Sequence, residues 1–266
     1  MRIAGNPLAM RNIGRLVAAV SITTLVTAAT VLAPWALTAV AWATIPATAA
    51  EEPTATPALP LPLQMADTRG CEQLLIATAP LLSDTTGTLQ VFELVNGTWV
   101  QRLSTPARFG KRGLIDGTKR RAGSLTTPTG IWAMPTYVFG THAHAPSGTK
   151  MRYRRLTRRS WWSNKRGRTY NTWVEARRWK GEHIGLSPKA YEFAVSMGYN
   201  ARPNPCVFGR GTGIFLHVRR PGLTAGCVAI SRADMIRVCR LLDPKKRPHF
   251  AVGTLQAGTP TSIQAY

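Results

Sequence analysis

Short apolar runs, separated by glycine, proline and asparagine, dominate the chain beyond residue 70. Gln73–Thr78, centred on Leu74-Leu75-Ile76, reads as a strand, and Ser83–Gly87 as a turn. Thr88–Val95 alternates apolar and polar positions, and Asn96-Gly97 separates it from Thr98-Trp99-Val100. Asn-Gly in that setting predicts a hairpin, because both residues tolerate the positive φ that a tight two-residue turn requires. Phe109–Gly117 reads as loop and turn, and Lys119–Gly123 as a charged turn. Ile131–Met134 and Phe193–Met197 are strand-like, and Ser187-Pro188 opens a short helix as N-cap and first helical residue. Ile214–Val218 and Val228–Ile230 are predicted buried strands flanking a loop broken by Pro221, Gly222 and Gly226. After them, Ser231 and Asp234 form a capping pattern. Met235, Ile236, Val238, Cys239, Leu241 and Leu242 then recur at helical spacing up to Asp243-Pro244. Phe250–Val252 is the last predicted strand. The fold class is mainly β with few helices, one of them amphipathic and directly after the broken loop.

The ends read differently. Met1–Ala50 has Arg2, Arg11 and Arg15, then the uncharged apolar run Leu16–Ala43, then a small-residue cleavage pattern at Ala47-Thr48-Ala49. That is a signal peptide or an N-terminal membrane anchor, and either one places the rest of the chain outside the cytoplasm. Residues 51–70, with Pro53, Pro57, Pro60 and Pro62, read as a Pro/Thr/Ala-rich linker, 71–253 as the folded domain, and 254–266 as a flexible tail.

Charge sharpens the picture. Lys and Arg number 34 against 12 Asp and Glu, a net charge of +22. Twelve of those cations lie within Lys150–Lys180, interleaved with Tyr153, Trp161, Trp162, Tyr170, Trp173 and Trp179. In the cytoplasm this would point to nucleic acid. Export excludes nucleic acid as a partner. The stretch is then either a solvated basic face whose tryptophans serve the core, or an adhesive face for anionic wall polymers or a membrane surface. His142 and His144 have no third ligand nearby, so no metal is expected, and no cofactor motif is present.

The candidate chemistry lies in the broken loop. His217 ends one predicted strand, and Cys227, after Gly226, opens the next. A free thiol is only slightly ionised at neutral pH. An imidazole folded back beside it can take its proton and later return it to a leaving amine. Backbone amides at Gly226 and Cys227 could face a developing oxyanion. Residue types alone leave open a buried thiol and a structural histidine. Of the other cysteines, Cys71, Cys206 and Cys239, one pair such as Cys71–Cys206 could form a disulfide in an exported chain. Cys239, on the helix's apolar face, reads as inert.

The segment from His217 to Thr224-Ala225-Gly226-Cys227-Val228 resembles the L,D-transpeptidase catalytic domain, the YkuD family. The likeness extends to Thr127-Pro128-Thr129-Gly130, Trp161-Trp162, Tyr170-Asn171, Tyr199-Asn200 and Gly209–His217, in the form found in actinobacterial secreted proteins. It covers about Glu72 to Gly253. Ala225 stands where the family motif usually has histidine, and Ala229 lies near a position often held by arginine or asparagine.

The resemblance implies a two-sheet sandwich and an exported cysteine acyltransferase. In it, Cys227 attacks the third residue of a peptidoglycan stem peptide, releases D-alanine, and passes the acyl group to another stem's amine as a 3→3 cross-link. His217 would act as base and then acid, with the Val218 carbonyl orienting it and Thr224 beside the thiol. Arg219 and Arg220 would meet a stem carboxylate, and Thr127–Gly130 would border the cleft. Three rivals stand beside this reading: an L,D-carboxypeptidase using water, a sortase, and a non-catalytic basic wall-binding module. The sortase lacks its expected arginine here.

Overall fold

In the computed structural model, which describes residues 60–187, 189–256 and 259–261, Asn96 and Gly97 both take positive φ, 48° and 78°. They close the predicted hairpin between β2 (Thr86–Val95) and β3 (Thr98–Arg108). The other strands are β1 (Gln73–Ala79), β4 (Leu114–Asp116), β5 (Thr127–Ala133), β6 (Tyr137–Gly140), β7 (Arg152–Arg155), β8 (Ser160–Ser163), β9 (Trp173–Glu175), β10 (Gly181–Glu182), β11 (Phe193–Ser196), β12 (Phe215–Val218), β13 (Val228–Ile230), β14 (His249–Gln256) and β15 (Thr259–Thr261). The helices are α1 (Leu61–Gln64) and α2 (Arg232–Leu241).

Two sheets result. The large one runs β4-β5-β14-β1-β2-β3-β13-β12-β11-β6-β7, with β15 on β14, and the small one runs β10-β8-β9. The main core gathers side chains from both halves of the large sheet: Leu75, Leu89 and Phe250 from one, Val195, Leu216 and Ile230 from the other. The fold is mainly β and sandwich-like. α2 closes this core. Ser231 caps it by accepting from the Asp234 amide at 3.1 Å, and Met235, Val238 and Cys239 are fully buried.

The second face of each half has its own cover. Leu74 and Ile76 of β1 turn away from the main core and meet Leu61, Cys71 and Trp99. Phe215 of β12 turns away likewise, into a cluster with Phe139, Trp162, Tyr191 and Cys227. Burial on both faces is why β1 and β12 read as continuous apolar runs.

The structure departs from the sequence reading in several places. Residues 1–59 lie outside the described residues, so the leader and the first part of the linker are not placed. Pro60 to Gly70, assigned to the linker, carries α1 and buries Leu61 on the domain. β14 runs to Gln256 and pairs with β15, so the first part of the assigned tail is sheet. Thr127-Pro128-Thr129-Gly130, whose residue types alone read as a turn, lies in β5 between β4 and β14. In place of the short helix expected at Ser187-Pro188, a 3-10 turn covers Ile184–Leu186, and Pro188 lies outside the described residues. Cys71, Cys206 and Cys239 are free thiols. Cys71 and Cys239 are buried and Cys206 is exposed, so the Cys71–Cys206 pair is not formed.

Candidate active site

Parallel pairing of β12 with β13 brings His217 and the residue before β13, Cys227, to neighbouring strand positions. His217 is opposite Ala229, and Leu216 opposite Val228. Side chains alternate along a strand. His217 therefore shares the face of Phe215, as Cys227 shares that of Ala229, while Leu216, Val218, Val228 and Ile230 enter the main core. Both side chains reach the floor of one cleft of about 670 Å³. Cys227 is 8% exposed and His217 7%, so little of either is open to solvent.

The imidazole is fixed by its neighbour. His217 Nδ1 lies 2.9 Å from the Val218 carbonyl oxygen. A carbonyl only accepts, so in the neutral ring Nδ1 carries the proton and Nε2 is the bare base. Burial, offset in part by the Val218 bond, lowers the His217 pKa, and Arg220 lowers it further.

The thiol rests elsewhere. It donates to the Gly213 carbonyl at 3.4 Å and accepts from the Phe215 amide at 3.4 Å. Among the described residues no hydrogen bond joins it to His217. Burial pushes its pKa up to about 12, and Glu182 adds to the rise. The Phe215 amide and Arg120 oppose it. The resting pair is therefore a neutral thiol and a neutral imidazole, rather than the ion pair in which an imidazolium favours the thiolate.

The loop before the thiol is tied down by Thr224, whose hydroxyl donates to the Cys227 carbonyl at 2.7 Å and accepts from the Gly226 amide at 3.1 Å. The Gly226 amide, expected to serve an oxyanion hole, is thus engaged, whereas among the described residues the Cys227 amide has no acceptor. Gly226 has φ of 134°, and a Cβ there would fall 2.7 Å from the Thr126 carbonyl oxygen. Only glycine fits both demands.

Arg120, which the sequence reading passed over as part of a charged turn, lines the cleft. It is 3% exposed. Nε donates to the Thr126 carbonyl at 2.8 Å, Nη1 to Arg210 at 2.8 Å and Nη2 to Ala225 at 3.4 Å. Among the described residues it makes no ion pair, and its charge lowers the Cys227 pKa. A cation from far upstream thus lies beside Ala225, where the family motif usually carries a histidine. The available signal was its place six residues before Thr126, too general to single it out.

The asparagines named with the motifs are scaffolding. Asn171, at φ of 56°, accepts from the Gly213 amide at 2.9 Å and from Trp162 Nε1 at 2.5 Å, and donates to the Asn200 carbonyl at 2.6 Å. It links the small sheet to Gly213, the thiol's acceptor. Asn200 donates to the Gly211 carbonyl at 2.8 Å. Thr127 accepts from the Gly110 amide at 2.8 Å. It and the rest of Thr127–Gly130 back the loop without lining the cleft. Arg220 lines the cleft and Arg219 does not, its amide continuing the ladder to the Ile230 carbonyl.

The Lys150–Lys180 aromatics are mostly committed. Trp162 is buried, Trp161 donates to Ala176, Trp179 to Ser163, and Arg154 lies over Trp173. Arg158, Arg159, Arg166, Arg177 and Arg178 are exposed. His142 pairs with Glu192 at 2.8 Å.

Residues 83–261 match the model of the YkuD L,D-transpeptidase catalytic domain. No curated protein sequence matches the chain. With Cys227 and His217 lining one cleft in a mainly β fold, and the match spanning well over half of its length, the chain belongs to the YkuD L,D-transpeptidase family and is an enzyme of that family, with peptidoglycan stem peptides as its substrates.

Proposed function

We propose that the protein is an exported L,D-transpeptidase that forms 3→3 cross-links through a Cys227 acyl-enzyme. The observation that carries this reading is that Cys227 and His217 line one cleft, with Nδ1 of His217 held on the Val218 carbonyl so that Nε2 is left as the base. In the first half-reaction the thiol turns from the Gly213 carbonyl and gives its proton to His217 Nε2. Sulfur bonds to the carbonyl carbon of the stem's diamino acid, and the oxyanion forms against the Cys227 amide. The imidazolium protonates the nitrogen of D-alanine as the amide bond breaks, leaving a thioester. In the second, an amine attacks the thioester, and its proton returns through His217 to sulfur.

Arg120 beneath the loop offsets negative charge developing at sulfur, and Arg220 at the rim is placed for a stem carboxylate. Water in place of the amine would make the enzyme an L,D-carboxypeptidase. The apolar cluster that Cys227 shares with Phe215, Tyr191 and Trp162 favours the amine by leaving little room for water against the sulfur. The exposed arginines of Lys150–Lys180 support attachment to anionic wall polymers or a membrane surface. Incubation with a stem tetrapeptide tests the reaction: D-alanine release that Cys227→Ala abolishes, with a carbapenem adduct of Cys227 by mass spectrometry, is the result expected. Release that survives Cys227→Ala would sink the reading.

A further inference from the structure

Glu182 is the single acidic side chain among the described residues lining the cleft, where Arg120, Lys180 and Arg220 are also found. It stands on β10, paired with Trp162 of β8. The Tyr191 hydroxyl donates to Oε1. Among the described residues Oε2 has no partner and no cation pairs with the carboxylate. Oε2 lies against Gly213, 3.3 Å from where a Cβ would stand, and Gly213 is the residue whose carbonyl holds the thiol. The free carboxylate oxygen therefore shares the thiol's side of the cleft. Water reaches it from the open side, while the walls raise its pKa, an effect that the Tyr191 bond opposes.

This placement hinders the first half-reaction. A negative group beside Cys227 raises the thiol's pKa, and the fold draws no ion pair from it. The second half-reaction reverses the balance. Its nucleophile is an amine, which arrives at neutral pH as an ammonium ion. A protein of charge +22 repels such a cation. An ammonium also has no lone pair, so it must lose a proton before it can attack.

We infer that Glu182 is the acceptor-binding residue: its Oε2, held in place through Oε1 by Tyr191, binds the protonated side-chain amine of the incoming stem and takes the first proton. The freed amine then forms the new amide bond to the acyl carbon as the thioester C–S bond breaks. Its second proton passes through His217 to sulfur, and protonated Glu182 releases its own to water. This rests on the reading that Cys227 forms an acyl-enzyme, and it names what selects an amine over water.

The test uses the full chain with a stem tetrapeptide as donor and a tripeptide with a free side-chain amine as acceptor. Trimmed donor, cross-linked dimer and released D-alanine are quantified against acceptor concentration. Glu182→Gln, nearly isosteric, should raise the acceptor KM and lower the ratio of dimer to trimmed donor by roughly 10-fold or more. The same variant should take a carbapenem adduct faster, because a negative charge has left the thiol's surroundings. Glu182→Asp should recover part of the ratio, which a purely structural role would not produce. An unchanged ratio and acceptor KM in Glu182→Gln would overturn the inference, as would a wild-type enzyme that makes no amine adduct with any acceptor. D-alanine release that persists in Cys227→Ala would instead overturn the acyl-enzyme reading itself.

Discussion

The Nδ1 of His217 and the carbonyl oxygen of Val218, adjacent in the chain, lie 2.9 Å apart. A base is usually oriented by a carboxylate, which would also hold its proton. Here a backbone dipole does the orienting, so the imidazole keeps a low proton affinity in its buried site.

That relationship sets the pH dependence. The His217 pKa is below its ordinary value of 6.5, and the thiol's is about 12. Attack needs the unprotonated imidazole. Acylation by a carbapenem should therefore rise with pH along a limb centred below 6.5. It should then stay level to about pH 9, because thiol ionisation comes later. Adduct formation followed across pH measures this. A fall between about pH 7 and 9 would mark loss of an imidazolium and place a thiolate–imidazolium pair at the site.

Arg120→Ala leaves the Thr126 and Ala225 carbonyls without their donors, and the Arg210 carbonyl with the Tyr199 hydroxyl alone. Unpaired buried acceptors cost about 1–3 kcal/mol each, so a loss near 3 kcal/mol in denaturant unfolding is expected. Removing the charge also raises the thiol pKa further, so acylation should slow by roughly 10-fold or more. Arg120→Lys should restore more of the rate than of the stability, because it returns the charge without the planar fork. Equal recovery of both would argue against an electrostatic part.

Asn171→Gly separates hydrogen bonding from backbone strain, since glycine accepts φ of 56° freely. The variant still loses the bonds to Gly213, Trp162 and Asn200. A stability loss of about 2–4 kcal/mol and a lower kcat follow. A stable variant with full activity would show that Gly213 holds its place without Asn171.

Gly226→Ala meets two obstacles, a φ of 134° and a backbone oxygen at 2.7 Å. Neither can be relieved by a side-chain movement. The expected cost is about 2 kcal/mol or more, with carbapenem labelling of Cys227 lost in the protein that remains folded. Normal labelling would show that the loop can shift without displacing the thiol.

The sequence by itself determined the mainly β class, the Asn96-Gly97 hairpin, the helix after Ile230 and the presence of His217 and Cys227 on one cleft, because each is encoded in residues near one another: an alternation, a turn dipeptide, a cap, a local motif. Where the reading departed from the structure, the cause was nonlocal. Thr127-Pro128-Thr129-Gly130 has turn chemistry, but β4 and β14 on either side draw it into a strand. Leu61 looks like linker until Trp99 and Ile76 supply a surface to cover. Tertiary structure alone decided that the thiol rests on Gly213, that Thr224 engages the Gly226 amide, and that Arg120 and Glu182 converge on the cleft from separate parts of the chain. Those outcomes depend on distances closed by folding. Hydrogen-bond competition and electrostatic fields act over a few ångströms, and no sequence spacing reports them.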